Sequence, residues 1–351
     1  MKKSKKAILI IFSIILASII ALSAILVFVF GDKIKAANSV EKLDDGLYYM
    51  EYEGDYGFDK FLSDGGAKNQ GDVANYVIFF LSGGFVKLDS EDVSFDFGCS
   101  TLTTKKTDSS YVMGRNFDYT GENPRAMIIH TKPENGYESY STTWLDFLSF
   151  DSDFVPDSMS NKYMSLASIY VPLDGINEKG LCVADLINGD NEITSQNTDK
   201  VDLTTTTAIR LLLDKAANVD EAIQLLKQYD MHSDIGKSHH LSISDSSGRS
   251  VVVEYINGQM IVTDTPVVTN HYLSKGEKLG IGNDESHRRY DKLIKKSNDT
   301  LSTQDMADAM ESVSYSDTTQ WSIVYDMENL KLDFYFKRQF DNPLEFSIEN
   351  K

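Results

Sequence analysis

Two short stretches place a thiol, a cation and a carboxylate at a spacing that could serve nucleophilic catalysis. Cys99 follows Gly98, and further along the chain Arg115 and Asp118 lie in the sequence Gly-Arg-Asn-Phe-Asp. A cysteine attacks a carbonyl carbon as its thiolate, and a neighbouring cation favours that form. We therefore expect Cys99 to be a nucleophile, Arg115 to favour its thiolate and Asp118 to orient the base.

The base for such a thiol is either a histidine or an α-amino group. An α-amino group has an ordinary pKa of about 7.7–8.0 and would be fixed beside its own thiol if Cys99 were an N-terminus. The sequence thus leads to the hypothesis that the chain is cleaved between Gly98 and Cys99. A histidine base is the alternative, and none of the available histidines lies in a recognised Cys/His signature: His130, His232, His239, His240, His271 and His287.

Several short strings, in this order along the chain, resemble the choloylglycine hydrolase and penicillin V acylase family of linear amide C–N hydrolases. They are Cys99 with residues 114–118, then 177–181, 251–255, 269–270 and 324–330. The resemblance spans residues 99–336. It implies an N-terminal-nucleophile (Ntn) hydrolase with a four-layer αββα sandwich, whereas periodicity alone predicts only an α+β fold. The resemblance to acid ceramidase-like members also implies a pro-segment before the nucleophile.

The resemblance implies roles for residues beyond Cys99, Arg115 and Asp118. Asn270 matches an asparagine whose side-chain amide stabilises the oxyanion. Arg289 is the better match to an active-site arginine, and Arg288 is the alternative. The second oxyanion position falls at Ile187, which can offer only its backbone N–H, and the neighbouring Asn188 could supply a polar side chain.

The implied reaction is hydrolysis of an N-acyl amide through an acyl-thioester on Cys99, with no cofactor and no metal. An acyltransferase that uses the same thioester is one alternative. A non-catalytic binding protein on the same fold is another.

The other cysteine, Cys182, is expected to be a core residue. The aromatic-rich segment 134–162 predicts a lid over an apolar acyl pocket.

Composition restricts the partners. The chain has 351 residues and a formal net charge of −19, and its lysines and arginines cluster only at the N-terminus. Nucleic acid is therefore not an expected partner. With 41% hydrophobic residues the chain can form a large core, and two cysteines do not make a disulfide framework.

The N-terminus has the pattern of a membrane anchor. A lysine-rich segment, 1–6, precedes an uncharged apolar run, 7–30, which as a helix would be about 36 Å long and could cross a bilayer. This run is longer than the apolar part of a cleaved signal peptide, although a cleavage site within residues 34–38 is an alternative. The sequence predicts a single-pass membrane protein with a cytoplasmic N-terminus and an extracellular catalytic domain.

The remaining chain is predicted to contain two parts. Residues 31–98 are expected to form a polar tether, over 32–42, and a pro-segment that packs on the enzyme, and residues 99–351 are expected to form the hydrolase domain. Helices are predicted over 204–217, 219–226, 287–296 and 302–313, with strands elsewhere.

Overall fold

Two β-sheets and their helices account for most of the described chain. A computed structural model describes residue 27 and residues 29–84, 97–120, 125–148, 154–233 and 237–349. The strands are β1 Glu41–Asp44, β2 Leu47–Glu53, β3 Phe97–Lys105, β4 Tyr111–Tyr119, β5 Ala126–Lys132, β6 Ser139–Trp144, β7 Asp174–Asn177, β8 Cys182–Ile187, β9 Val201–Thr204, β10 Tyr229–His232, β11 His239–Ser244, β12 Ser250–Ile256, β13 Gln259–Asp264, β14 Val267–Val268, β15 Thr319–Asp326, β16 Lys331–Phe336 and β17 Leu344–Ser347. The helices are α1 over 29–39, α2 Phe58–Ser63, α3 Gln70–Leu81, α4 Met159–Met164, α5 Thr205–Lys215, α6 Val219–Leu226, α7 Asp284–Ile294 and α8 Thr303–Glu311.

The layers follow from three buried clusters. The larger sheet has the order β1-β2-β5-β6-β7-β8-β11-β12-β13, and the smaller has the order β14-β3-β4-β15-β16-β17. One cluster packs α5 and α6 against the larger sheet, a second lies between the two sheets, and a third packs α7 and α8 against the smaller sheet. The predicted α+β sandwich of two sheets between helical layers is therefore observed.

The pairing of β3 with β4 decides which side chains face the space between the sheets. Cys99 lies opposite Phe117, and Thr101 lies opposite Arg115. Paired residues of antiparallel strands share a face, and successive residues alternate between faces. Cys99 and Arg115 therefore face the larger sheet, whereas Asp118 faces the layer of α7 and α8.

Helices α7 and α8 begin at polar caps, whose side chains replace the missing backbone partners. Asn283 accepts a hydrogen bond from the Ser286 N–H at the start of α7. Ser302 and Asp305 form a capping box at the start of α8. Such caps satisfy N–H groups that have no partner inside the helix. The predicted helices are confirmed, with ends shifted by a few residues.

The segment before Cys99 is part of the larger sheet. Strand β2 runs parallel to β5 over seven residue pairs, from Leu47 with Ala126 to Glu53 with Lys132. The predicted tether over 32–42 is wrong, because α1 continues to residue 39 and β1 follows at Glu41. One face of α1 packs against the protein, since Lys33, Ala36 and Ala37 are buried.

The predicted lid over 134–162 is also wrong. This segment contains β6, which pairs with β5 and β7 inside the larger sheet. Three of its aromatic side chains, Tyr140, Trp144 and Phe147, are buried between the sheets. Their apolar character therefore reflects the core rather than an acyl pocket.

The predicted membrane anchor is not supported. Among the described residues, no helix is long and apolar enough to span a membrane. The predicted transmembrane helix over 7–30, and the cell-surface location that depended on it, find no support in this part of the chain. Residues 1–26, which hold the basic tail and most of the apolar run, lie outside the described residues.

Candidate active site

Cys99 lies in β3 with its side chain fully buried between the sheets. Its backbone N–H, which is still part of the peptide bond to Gly98, donates a hydrogen bond to Asn270 Oδ1 at 2.7 Å. The Arg115 side chain contacts the thiol. The strand pairing therefore holds the thiol and the backbone nitrogen of Cys99 against two different partners.

Arg115 is fixed by a buried carboxylate that sequence reasoning missed. Its Nε lies 2.6 Å from Asp174 Oδ2, and both side chains are fully buried. Arg115 also donates through Nη2 to the Asp185 carbonyl at 3.1 Å. Asp174 in turn accepts hydrogen bonds from Trp321 Nε1 and Tyr325 Oη, each at 3.1 Å. A charged residue in the short apolar stretch 171–176 is the sequence signal that could have identified Asp174.

Asp118 does not pair with Arg115. It lies on the other face of β4, where its Oδ2 accepts a hydrogen bond from Arg289 Nη1 at 2.7 Å. Its Oδ1 accepts a hydrogen bond from Thr319 Oγ1 at 2.5 Å. Asp118 is nevertheless close to the peptide bond between Gly98 and Cys99, since a Cβ atom added to Gly98 would lie 3.3 Å from Asp118 Oδ2. Thr319 is a second residue of the site that sequence reasoning missed, and no sequence string marks it.

Arg289 rather than Arg288 reaches the site. Arg289 is buried, and its Nη2 donates to Asn270 Oδ1 at 2.7 Å. Its guanidinium also lies 4.9 Å from the centre of the Tyr315 ring, an arrangement that favours a cation. Arg288 is exposed and bonds to Glu285 on its own helix. Neighbouring positions on a helix point in different directions, so only one of the two can face Asn270.

Asn270 connects the two sheets at this point. Its Oδ1 accepts from both Cys99 N and Arg289 Nη2, and its Nδ2 donates to the Ile187 carbonyl at 2.7 Å. These three bonds fix the orientation of the side-chain amide. Ile187 is the last residue of β8. Through these contacts and those of Asp118 and Arg115, the structure brings together all of the predicted site residues: Cys99, Arg115, Asp118, Asn270, Arg289 and Ile187.

Burial controls the protonation of the thiol in the uncut chain. Removal from water raises the pKa of Cys99 to about 12, and Arg115 opposes this effect. Burial also raises the pKa of Asp118, against the opposing influence of Arg289 and Thr319. The thiol of the uncut chain is therefore protonated at neutral pH, and Cys99 needs a base before it can attack.

A cavity of about 410 Å³ opens beside Gly98. Its walls are mainly polar, since Asn188, Asp190, Asn191, Asn283 and Tyr315 line it together with the residues already described. The cavity is therefore suited to a molecule with hydrogen-bonding groups next to the reacting carbonyl.

Comparisons with known proteins identify the family of the chain. The model of the family described as acyl-coenzyme A:6-aminopenicillanic acid acyl-transferase matches residues 103–340, beginning just after Cys99. Penicillin V acylase from Pectobacterium atrosepticum is 35% identical over 100 residues, which covers 25% of this chain and 26% of that protein. The chain thus matches about a quarter of the length of this relative.

A solved structure extends the likeness to the fold. A variant of conjugated bile acid hydrolase from Clostridium perfringens superposes with a TM-score of 0.51 at 18% identity, covering 71% of this chain and 92% of that one. At this identity the likeness concerns the fold alone. The chain belongs to the acyl-coenzyme A:6-aminopenicillanic acid acyl-transferase family, and the resemblance to bile acid hydrolases and penicillin V acylases that the sequence indicated is confirmed.

Proposed function

We propose that this protein hydrolyses linear N-acyl amides with Cys99 as an N-terminal nucleophile, after cleavage of its bond to Gly98. One observation carries the proposal. The backbone nitrogen of Cys99 is held by Asn270 Oδ1, while Arg115 lies beside its thiol and Asp118 beside Gly98. A free amino group at that nitrogen would therefore be bound and oriented without rearrangement of its partners.

The first chemical step would use this amino group as the base. After cleavage the α-amino nitrogen keeps the hydrogen bond to Asn270 Oδ1, and its lone pair takes the thiol proton. Arg115 then stabilises the thiolate, and the negative Asp118 favours the ammonium form. The thiolate attacks the amide carbon, the ammonium returns the proton to the leaving nitrogen, and an acyl-thioester remains on Cys99.

Two N–H groups could stabilise the oxyanion. Asn270 Nδ2 uses one hydrogen for the Ile187 carbonyl, which leaves its second hydrogen for a substrate oxygen. The Asn188 N–H donates to the Ser238 carbonyl, so the pairing of β8 with β11 turns the Ile187 N–H and carbonyl away from β11. Both donors would thus lie on the side of β8 that carries Asn270.

Water completes the reaction. It attacks the thioester carbon, the α-amino group accepts a proton from it, and the acid and the free thiol are released. The polar walls of the cavity support a substrate whose part next to the amide carries hydrogen-bonding groups.

Acyl transfer is the second candidate, because the family model that matches the chain carries the name of an acyl-transferase. In that reaction an amine rather than water takes the acyl group from Cys99. The two reactions differ only in the acceptor. The product formed from one amide substrate with and without an added amine, such as 6-aminopenicillanic acid, distinguishes them.

The test compares the two buried cysteines. We expect the wild-type chain to yield a fragment whose N-terminal residue is Cys99, and to release amine from a panel of N-acyl amides. Cys99→Ala should stay uncut and inactive, because cleavage and turnover both need the thiol. Cys182→Ala is the matched control, since Cys182 is equally buried between the sheets but stands at the other end of β8 from Ile187.

Mass spectrometry of the intact chains and N-terminal sequencing provide the readout. A wild-type chain that remains uncut yet hydrolyses amides would contradict the amino-group mechanism. A cleaved chain with no turnover of any amide, with or without an amine acceptor, would favour the non-catalytic alternative.

A further inference from the structure

The uncut chain lacks the base that the mature enzyme would use. In the precursor the nitrogen of Cys99 is a peptide nitrogen with no basic lone pair, and the thiol is protonated because burial raises its pKa. A different group must take the thiol proton before Cys99 can attack the carbonyl of Gly98. The identity of this group is an inference that rests on the proposed function, because it matters only if the chain cleaves itself.

Side-chain contacts between the sheets place His240 opposite Cys99. Thr103 Oγ1 lies 2.8 Å from Ser244 Oγ, and Thr101 Oγ1 lies 2.9 Å from Ser242 Oγ. From one contact to the other, both β3 and β11 advance by two residues. Side chains two residues apart lie on the same face of a strand, so the same pairing continues along these two faces. The next pair on these two faces is Cys99 with His240.

Contacts of the site with β8 independently place His240 close to Cys99. Arg115, which touches the thiol, donates to the carbonyl of Asp185, and Asn270, which holds the nitrogen of Cys99, donates to the carbonyl of Ile187. Between those two positions lies Leu186, whose partner on the adjacent strand β11 is His240. His240 is therefore one strand away from the point of β8 over which the thiol lies.

The ring of His240 is held through Nδ1, whereas its Nε2 lacks a hydrogen-bond partner among the described residues. Nδ1 lies 3.1 Å from Glu254 Oε1, and Glu254 also accepts the backbone N–H groups of Leu273 and Ser274. Nε2 is buried and has no hydrogen-bond partner among the residues that the structure describes. With its proton on Nδ1 toward Glu254, the neutral ring presents a lone pair at Nε2.

The other nearby histidines are occupied differently. His239 lies on the opposite face of β11, where its Nδ1 contacts the Asp185 carboxylate at 2.9 Å. The Nδ1 of His271 lies 2.9 Å from Ser286 Oγ. Neither arrangement directs a free nitrogen toward Cys99.

We propose that His240 is the base for self-cleavage at the bond between Gly98 and Cys99, a reaction in which the α-amino group cannot yet take part. Nε2 takes the thiol proton as Sγ forms a bond to the carbonyl carbon of Gly98. The imidazolium then gives that proton to the nitrogen of Cys99 as the C–N bond breaks, which leaves a thioester and a free amino group. Water hydrolyses the thioester to the carboxylate of Gly98 and the thiol.

This assignment predicts how cleavage depends on pH. The charged and titratable groups that face His240 are Glu254 from β12, His271 from the segment after β14, Arg115 from β4 and Cys99 from β3. Cleavage should be slow where the imidazole is protonated and should rise as it loses its proton. Glu254 stabilises the positive charge that the ring gains when it takes the thiol proton, so removal of the Glu254 charge should slow cleavage.

The experiment follows cleavage of the full-length chain after it is refolded from denaturant, by mass spectrometry over a range of pH. We expect His240→Gln to slow cleavage by roughly 10²-fold at neutral pH and to abolish the rise of the rate with pH. Glu254→Gln, the second variant, should slow cleavage by roughly 10-fold and keep the rise of the rate with pH. His232→Gln is the matched control, since His232 contacts Asp202 on the parallel pair of β9 and β10, which belongs to neither of the two larger sheets.

The outcomes separate this inference from the proposed function. A wild-type chain that never cleaves at Gly98 would overturn the self-cleavage itself. Wild-type cleavage together with an unchanged rate and pH profile in His240→Gln would overturn only the role of His240. A purely structural role would reduce the yield of folded chain and leave the profile of the folded fraction as in the wild type, and this result too would contradict the proposal. If His240→Gln does not fold, an unchanged rate of cleavage in Glu254→Gln has the same meaning.

Discussion

At the scale of single residues, the site consists of two buried ion pairs on opposite faces of one strand. Arg115 pairs with Asp174 between the sheets, and Asp118 pairs with Arg289 under the helical layer. The sequence places Arg115 and Asp118 three positions apart and suggests a common unit. The alternation of side chains along β4 separates them instead.

This separation predicts which substitutions depend on each other. Asp118→Asn should destabilise the chain by about 3–5 kcal/mol, because it leaves the buried charge of Arg289 without a partner. Adding Arg289→Gln should cost much less than the sum of the two single changes. Arg115→Gln combined with Asp118→Asn should instead be additive to within about 0.5 kcal/mol.

Urea unfolding of the uncut Cys99→Ala background measures these free energies without interference from cleavage. The same background carries the single and the double variants, so each cycle has its own reference. Strong coupling between Arg115 and Asp118, with none between Asp118 and Arg289, would contradict the pairing described above.

At the scale of elements, local sequence patterns predict the helices, which depend on residues near one another in sequence. They do not predict features that depend on contacts between residues far apart in sequence. The helices α5 to α8 were predicted from their periodicity and caps, since both are local. Asp174 was missed because its partner Arg115 comes from another sheet, and no spacing in the sequence links them. The aromatic residues Tyr140 and Trp144 were assigned to a lid, because a strand buried on both faces lacks the alternation that marks a half-exposed strand.

The segment before Cys99 shows the same limit and leads to an element-scale prediction. Composition could not show that β2 pairs with β5, since parallel pairing joins parts far apart in sequence. The pairing predicts that residues of the pro-segment stay bound after cleavage. We expect the two chains to elute together in size-exclusion chromatography and to separate only in denaturant.

Two substitutions in this segment sharpen that prediction. Met50 is fully buried, so Met50→Ala should lower the free energy of unfolding by about 2–5 kcal/mol. Lys42→Ala, at an exposed position of the neighbouring β1, should change it by less than about 0.5 kcal/mol. Elution of the cleaved wild-type chains as separate species would contradict a structural role for β2.

At the scale of the whole molecule, the buried polar residues near Cys99 couple stability to pH. Glu254 and His271 both lie beside His240 where the larger sheet meets the segment after β14. Hydrogen bonds from His240 and from backbone N–H groups lower the pKa of Glu254 to about 2, against the effect of burial. The native state therefore keeps this carboxylate ionised well below the pH at which an unfolded chain would protonate it.

The effect of His271 on stability falls in a pH range that is easier to measure than that of Glu254. Burial, followed by repulsion from His287 and His240, lowers its pKa from 6.5 to about 4. Between these values the unfolded chain binds a proton that the native chain does not, so the stability that is fully present above pH 6.5 falls as the pH drops toward 4. One such group contributes a slope of at most about 1.4 kcal/mol per pH unit. Urea unfolding of uncut Cys99→Ala at several pH values in this window should show that slope, and His271→Gln in the same background should reduce it. An equal slope in both chains would mean that His271 is protonated in the native state and that the buried pocket around Asn270 admits a charge.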